Sequence, residues 1–339
     1  MSEHLKPCIV AGFGRSGTTW VQDVLATANS LRAVFEPLHP LWIRGADMHA
    51  HRYHAADDDD LACYRFLHRY FCEDFHSPWA DYRVVWTKLY PRLNDLKSIR
   101  GIKRVLRNNF QAKDNILRFR KQRQNKRRIV KFVRANMMLP WLQRNFDARI
   151  VFIIRHPAAV VMSQMRTPRA WNPYKNIERY RRDSRLLDVL DRRTNKLIFQ
   201  SLDDVEACTL SWCVENIVAL QHARDRDFPV IYYETLIRRG LPEWKRILSA
   251  LELEIVPGEN LIFRPSQQAW EEKARNAKLV RKYASWMNQI DQLTAVRIQN
   301  VLDATGMTVY HTRDVLPIDS EHMWEGKVFQ KNDFPHDQT

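Results

Sequence analysis

An α/β fold is predicted for this chain: a parallel sheet flanked by helices, with a large, mostly helical insertion. Three observations predict it. The stretch from Cys8 to Trp20 passes from an apolar run through a glycine-rich turn into a helix pattern. Two later runs, Ile129 to Val133 and Ala148 to Ile154, are continuous and rich in β-branched residues, as strands buried on both faces are. Helical spacing recurs between the strands, which is the rhythm of a doubly wound parallel sheet.

Taken in order, the first strand is Cys8 to Ala11, and the turn is Gly12 to Gly17. Thr18, Thr19, Trp20, Val21, Val24 and Leu25 then open a helix with an apolar stripe. Such a unit is P-loop-like, because the turn's N–H groups converge on an anion at the positive end of the helix. Ala33 to Glu36 reads as a second strand, ended by Pro37. Residues 38–128 then break the rhythm. They read as an insertion within a single domain spanning 1–339, basic and mostly helical, where a substrate would be chosen. Leu61, Tyr64, Phe66, Leu67, Tyr70 and Phe71 have helical spacing, as do Ile99, Ile102, Leu106 and Phe110. Val84 to Trp86 reads as a short strand, and residues 111–128, where charge outweighs apolar content, as a mobile segment.

The α/β rhythm returns with the strand at Ile129 to Val133 and a short helix begun by Pro140. Ala148 to Ile154 is the strongest strand signal, ended by Arg155-His156-Pro157, and Ala158 to Met165 starts a helix. The Arg-rich stretch 166–196 reads as a loop over one end of the sheet. Leu210 to Leu220 reads as a helix, Pro229 to Tyr233 as a strand, and Pro242 to Leu251 as a helix with proline in its first turn. Trp270 to Thr305 reads as one or two helices, with Gly306 as the stop.

Composition narrows the function. The 339 residues are 45% hydrophobic, enough for one large core with an inserted subregion. No run of 18 apolar residues appears, and Met1 to Pro7 has no signal-peptide pattern, so a cytoplasmic protein is expected. The five cysteines form no C-x-x-C pair and read as reduced, mostly buried thiols, with a Cys63–Cys72 bridge left open. The net charge is +15, and Lys97 to Arg134 carries fifteen Lys/Arg against one acid, Asp114. Such a block suits a polyanionic partner or an anionic membrane surface, so peripheral membrane contact is one expectation; a solvated helix face is the alternative. His39, His49, His51 and His54 lack metal-ligand spacing; they read as surface histidines, and no metal is expected.

The glycine turn is informative for what it lacks. A nucleotide-triphosphate loop reads Gly-x4-Gly-Lys-Ser/Thr. Gly12 and Gly17 have that spacing and Thr19 supplies the hydroxyl, but Thr18 stands where the lysine belongs. Arg15 is the loop's cation. This favours a phosphate over Mg·ATP chemistry, and counts against the alternative of a nucleotide kinase or NTPase with a degenerate loop. A second alternative, a basic nucleic-acid-binding protein, finds no zinc, RRM or helix-turn-helix signature, so no nucleic-acid partner is expected. Arg155 closes a strand and Ser163 follows eight residues later, a guanidinium and a hydroxyl suited to a phosphate dianion at the carboxyl end of the sheet.

Gly14-Arg15-Ser16-Gly17-Thr18-Thr19-Trp20 resembles the 5′-phosphosulfate loop of sulfotransferases that use 3′-phosphoadenylyl sulfate (PAPS). Arg155-x7-Ser163 is similar to that family's segment for the cofactor's 3′-phosphate. The resemblance implies that residues 14–20, Arg155 and Ser163 bind PAPS, and that Arg15 and Lys131 stabilise the transferred sulfuryl group. Phenol-type relatives follow the strand lysine with Thr-His, where histidine is the base; here Phe132-Val133-Arg134 follows Lys131, so that base is missing. Phe35-Glu36-Pro37, Trp212-Cys213-Val214-Glu215-Asn216 and Tyr232-Tyr233-Glu234-Thr235 resemble segments of the carbohydrate branch, the Golgi hexosamine/galactose type. That implies a carbohydrate acceptor, anionic or membrane-borne, with Glu36 as the base and His39 as runner-up. Trp171, Trp212, Trp244, Trp270 and Trp286 read as core, and Trp42 and Trp79 as candidates for stacking on a sugar. The resemblance covers residues 6–40, 129–165 and 205–252, and leaves out the insertion.

Overall fold

The computed structural model describes residues 5–83, 99–123, 125–167, 171–226, 228–263 and 284–318. Five strands form one parallel sheet in the order β2-β3-β1-β4-β5: β1 Cys8–Ala11, β2 Arg32–Phe35, β3 Arg128–Phe132, β4 Arg149–Ile154 and β5 Val230–Tyr232. The first helix, α1, spans Thr18–Ala28 and links β1 to β2, which is an edge strand. Between β2 and β3 come α2 (Leu61–Phe71), α3 (Pro78–Tyr82) and α4 (Ile99–Gln122). After β3 come α5 (Leu139–Phe146) and, past β4, α6 (Pro157–Met165). Short helices α7 (Pro173–Arg182), α8 (Ser184–Val189) and α9 (Arg192–Ile198) precede the long α10 (Asp204–Arg226). The chain closes with α11 (Tyr233–Arg239), α12 (Leu241–Ala250), α13 (Glu259–Ile262) and α14 (Gln292–Thr305), the last stopped by Gly306 in the left-handed conformation.

The sheet buries both faces because its strands are mostly apolar; Arg32, Arg128 and Arg149 stand at strand starts, and Lys131 is the one charged residue inside a strand. On β1, Ile9 and Ala11 face a core with α5, α6 and α10, while Cys8 and Val10 face a second core with α1 and α12. Trp20, Val21, Val24 and Leu25 are the stripe of α1 that packs on Trp244 and Ile247 in the second core. A central strand residue such as Ile153 is fully buried, so truncation to alanine costs about 2–5 kcal/mol. Parallel strands all end on one side, and that side carries the glycine turn, Glu36, Arg134 and Arg155.

Two segments differ from the sequence reading. Residues 111–122, expected to be mobile, continue α4, because Ala112, Asn115, Phe119 and Gln122 form a buried stripe beneath the charge. Within 166–196, expected to loop, the chain instead forms three short helices between 173 and 198, capped by Asn172, Asp183 and Asp191 and anchored by buried Ile177, Tyr180, Leu186 and Ile198. The strand expected at 84–86, and Trp270, expected in the core, lie outside the described residues. All five cysteines are free, so no Cys63–Cys72 bridge forms. Among the described residues, no helix is long and apolar enough to cross a membrane.

Candidate functional site

The site grows out of the turn between β1 and α1. Gly17, at φ 88°, is the N-cap of α1, and a Cβ there would meet the Tyr233 ring at 2.5 Å. Gly14 lies under the Trp171 ring, which a Cβ would strike at 2.2 Å. The turn is thus wrapped by two aromatic rings and tolerates no side chain at either glycine. Arg15 takes a left-handed φ of 77°, which is costly for a residue with a Cβ and is held by its surroundings.

Arg15, Ser163 and Arg155 come together as the sequence reading expected. The Arg15 Nε donates to Ser163 Oγ at 2.8 Å, and an Arg155 Nη donates to the Arg15 carbonyl at 3.0 Å. The Arg155 guanidinium also lies 4.5 Å from the Tyr233 ring centroid. Among the described residues, neither arginine forms an ion pair with a carboxylate. Burial lowers the Arg15 pKa, and the like charge of Arg155 lowers it further. Ser16 Oγ and Arg155 Nε are buried without a hydrogen-bond partner. Two crowded cations and two unmatched buried polar atoms around a helix N-terminus are an arrangement that can receive an anion.

The second cluster sits where β2 and β3 end. Lys131, on β3, is 2% exposed, and its Nζ donates to Glu36 Oε1 at 2.5 Å and to Thr19 Oγ1 at 3.0 Å. The other Glu36 oxygen accepts from Arg134 at 2.8 Å. Lys131 therefore ties the phosphate turn to Glu36. Burial would raise the Glu36 pKa, but Lys131 and then Arg134 outweigh it and hold the carboxyl down at about 2. On Lys131 burial wins, because it shares its one anion with Arg134, and its pKa falls to about 8. Glu36, like Arg15, has a left-handed φ, here 42°. His39 is half-buried close by, and burial first, then Arg134, pushes its pKa down to about 4. Its ring is thus neutral at pH 7 and can accept a proton.

Some features were missed. Arg134 was named only as a departure from a family pattern, although its place just after β3 puts it on the functional side of the sheet. Trp171, expected in the core, instead lies half-buried on the phosphate turn with Arg134 5.3 Å from its ring centroid. Trp212, Trp244 and Trp286 are core residues as expected. The histidines expected at the surface are not there: His49, His51 and His54 are 4–8% exposed. His51 Nδ1 bonds Glu215 at 2.6 Å, and Glu215 also accepts from Asn136 and Tyr180. Burial lowers the His51 pKa, and the neighbouring Glu215 carboxylate opposes that lowering. The His51 backbone N–H donates to the Arg134 carbonyl at 2.8 Å, so this buried network fixes the turn that carries Arg134. His49, Asp60 and Cys63 bring possible ligand atoms within 4.8 Å of one another, a grouping the sequence spacing did not suggest. Asp60 there caps α2 and accepts from His54 at 3.0 Å.

Residues 7–257 match the model of the sulfotransferase family. The chain belongs to that family. The enzyme is similar in structure to the sulfotransferase domain of a Synechococcus olefin synthase (16% identity, 91% of this chain and 97% of that one, TM-score 0.44). It is also similar to the sulfotransferase domain of the curacin biosynthetic pathway (10% identity, 88% and 97% covered, TM-score 0.41) and to a Mycobacterium avium sulfotransferase (14% identity, 88% and 75% covered, TM-score 0.35). No curated protein matches the sequence significantly. The family assignment rests on the 7–257 match, and it agrees with a sheet whose phosphate turn lacks the nucleotide-triphosphate lysine.

Proposed function

We propose that this sulfotransferase transfers a sulfuryl group from PAPS to a hydroxyl of a carbohydrate acceptor. The observation that carries the donor half is the cation cluster without carboxylate: Arg15 and Arg155 beside Ser163, with Ser16 Oγ and Arg155 Nε unmatched. These residues fit a donor with two phosphate groups. Backbone N–H groups and hydroxyls of residues 14–20 would hold the 5′-phosphosulfate, and Arg155 and Ser163 the 3′-phosphate.

PAPS supplies an activated sulfuryl group, so that the acceptor oxygen bonds to sulfur as the sulfur–oxygen bond to adenosine 3′,5′-bisphosphate breaks. The protein's part is positioning and charge stabilisation. Arg15 and Lys131 would neutralise charge on the sulfuryl and leaving oxygens. Glu36 would take the proton of the acceptor hydroxyl. Clamped by two cations it is a weak base, but its strongest stabilising charge is Lys131. Any interaction that draws Lys131 towards the sulfuryl oxygens releases Glu36 and raises its proton affinity. Base strength is thereby coupled to donor engagement.

The acceptor half rests on an aromatic wall beginning at Glu36. Phe35 contacts Trp79 edge-on at 5.3 Å, Trp79 meets His39 at 4.7 Å, and Trp42 lies 5.8 Å from Trp79. Trp42 is 39% exposed, and the half-buried Trp79 has an indole N–H without a partner. Flat apolar faces with a spare donor suit a sugar ring that is apolar on one side and polar at its rim. His39, Trp42 and Trp79 of this wall lie within residues 38–128, read here as the acceptor-binding part of one domain.

An acceptor screen with radiolabelled PAPS tests the reading. Label should appear on glycans, polysaccharides or glycolipids; label only on phenols or steroids would sink the carbohydrate half. Thermal shift should rise with adenosine 3′,5′-bisphosphate and not with Mg·ATP or duplex DNA. A shift with Mg·ATP alone would restore the nucleotide-kinase alternative.

A further inference from the structure

Helix α4 buries one face and, among the described residues, leaves large apolar side chains exposed on the opposite one. Ala112, Asn115, Phe119 and Gln122 recur at the spacing of one helix face and are at most 9% exposed. That face is anchored: Arg118 donates to Asp23 at 2.9 Å, Gln122 donates to the Ala26 carbonyl at 3.0 Å, and Phe119 meets Tyr82 edge-on at 4.7 Å. The opposite face carries Leu106, Phe110 and Leu117, spaced i, i+4, i+11, at 54%, 65% and 52% exposure. Single exposed leucines are ordinary, but three large side chains in one line on one helix are an unpartnered surface.

The charges around this line decide its partner. Lys113 and Arg120 lie on the same outer face, Lys121 beside it, and all three are exposed. The 24 residues of α4 include eight Lys/Arg and one acid, Asp114. A line of Leu and Phe bordered by bases is the pattern of a helix that lies in a membrane interface. A soluble polyanion would use the bases and leave the apolar line in water.

The direction of α4 connects this face to the site. Arg118 is level with Asp23 and Gln122 with Ala26, so α4 runs alongside α1 in the same sense. Its N-terminal part therefore points to the end where α1 begins, at the phosphate turn. Leu106 is twelve residues before Arg118, about 18 Å of helix, whereas Thr18 is only about 8 Å from Asp23 along α1. The apolar line thus extends past the level of the turn, on the side where the site opens.

We propose that the outer face of α4 docks the enzyme on membranes containing anionic phospholipid, with Leu106, Phe110 and Leu117 inserted at the interface and Lys113, Arg120 and Lys121 on the headgroups. Docked in this way, α4 and α1 lie along the membrane plane, and the phosphate turn is held beside that surface. The surface needs neither PAPS nor a carbohydrate acceptor to act.

The test is co-sedimentation of the full chain with vesicles of phosphatidylcholine alone and with about one-third phosphatidylglycerol, at low and high salt. The chain should pellet with the anionic vesicles, pellet little with the neutral ones, and release as salt rises. The triple variant Leu106→Ser, Phe110→Ser, Leu117→Ser keeps every charge; its partition onto anionic vesicles should fall about tenfold or more. These positions are exposed, so the variant should keep its melting temperature and its thermal shift with adenosine 3′,5′-bisphosphate, which separates failure of docking from failure of the donor site. No binding of the wild type to anionic vesicles overturns the proposal. Equal binding of the triple variant also overturns it, and together with displacement by a soluble sulfated polysaccharide would assign the face to a polyanion.

Discussion

Two groups of cations stand at the same edge of this sheet and are treated in opposite ways. Around the phosphate turn, Arg15 and Arg155 crowd each other and, among the described residues, neither forms an ion pair with a carboxylate, while buried polar atoms there lack partners. At the ends of β2 and β3, Lys131 and Arg134 share the Glu36 carboxylate, one on each oxygen. The first group is electrostatically unfinished and suits anions brought from outside. The second is neutralised in advance and suits redistribution of charge during a reaction. A protein that only needed stability would have no reason to leave two half-buried guanidiniums without an ion pair among the described residues. The contrast is what separates a binding pole from a reacting pole.

The largest effect should come from breaking the paired pole. Glu36→Gln keeps the shape and removes the charge, and kcat should fall by about 10²–10⁴-fold with donor affinity nearly unchanged. If Glu36→Gln keeps near-normal kcat while His39→Ala abolishes it, the base is His39. The pH profile sharpens this choice. In kcat/KM, which reports the free enzyme, a Glu36 base with a pKa of about 2 loses activity only in strong acid, whereas a His39 base loses it as pH falls through about 4.

The basic side of the profile tests the pairing itself. Lys131 must be protonated to stabilise anionic oxygens, so kcat/KM for PAPS should fall as pH rises through about 8. Glu36 is the charge that opposes further lowering of the Lys131 pKa. Removing it in Glu36→Gln should therefore move this limb to lower pH. A limb that stays in place would mean that the two groups are not coupled.

At the unpaired pole the effects should be smaller and confined to binding. Arg155→Ala should weaken adenosine 3′,5′-bisphosphate by about 1.5–3 kcal/mol, the value of a hydrogen bond to a charged group, and should barely affect AMP. Ser16→Ala should weaken the bisphosphate by only about 0.5–1.5 kcal/mol. Because Ser16 Oγ is buried without a partner, the melting temperature of the ligand-free Ser16→Ala variant should hold or rise. A clear fall in that temperature would show that the hydroxyl serves the fold rather than a ligand.

The two poles were not equally legible in the sequence. The unpaired pole is built from one local motif and one strand end, so Gly14 to Trp20, Arg155 and Ser163 could be read from order and spacing. The strands were legible because parallel strands buried on both faces need unbroken apolar runs, as in Arg149–Ile154. Glu36 and Lys131 were singled out by the family resemblance together with their strand ends, but their bond was not, because it joins residues 95 apart. The link from Arg134 through His51 to Glu215 likewise spans the chain and leaves no local pattern. The helices at 173–198 and 111–122 were hidden for a different reason. Their buried residues are few and lie among arginines and lysines, so charge masks the helical period that Ile177 and Tyr180, or Ala112 and Phe119, carry.

Titration calorimetry of the wild-type chain with adenosine 3′,5′-bisphosphate and with AMP tests the central claim, that Arg15, Arg155 and Ser163 form a site for the donor's phosphates. The bisphosphate should bind at least about tenfold more tightly, the margin that one charged hydrogen bond to the 3′-phosphate supplies. Equal affinity for the two nucleotides would contradict the account.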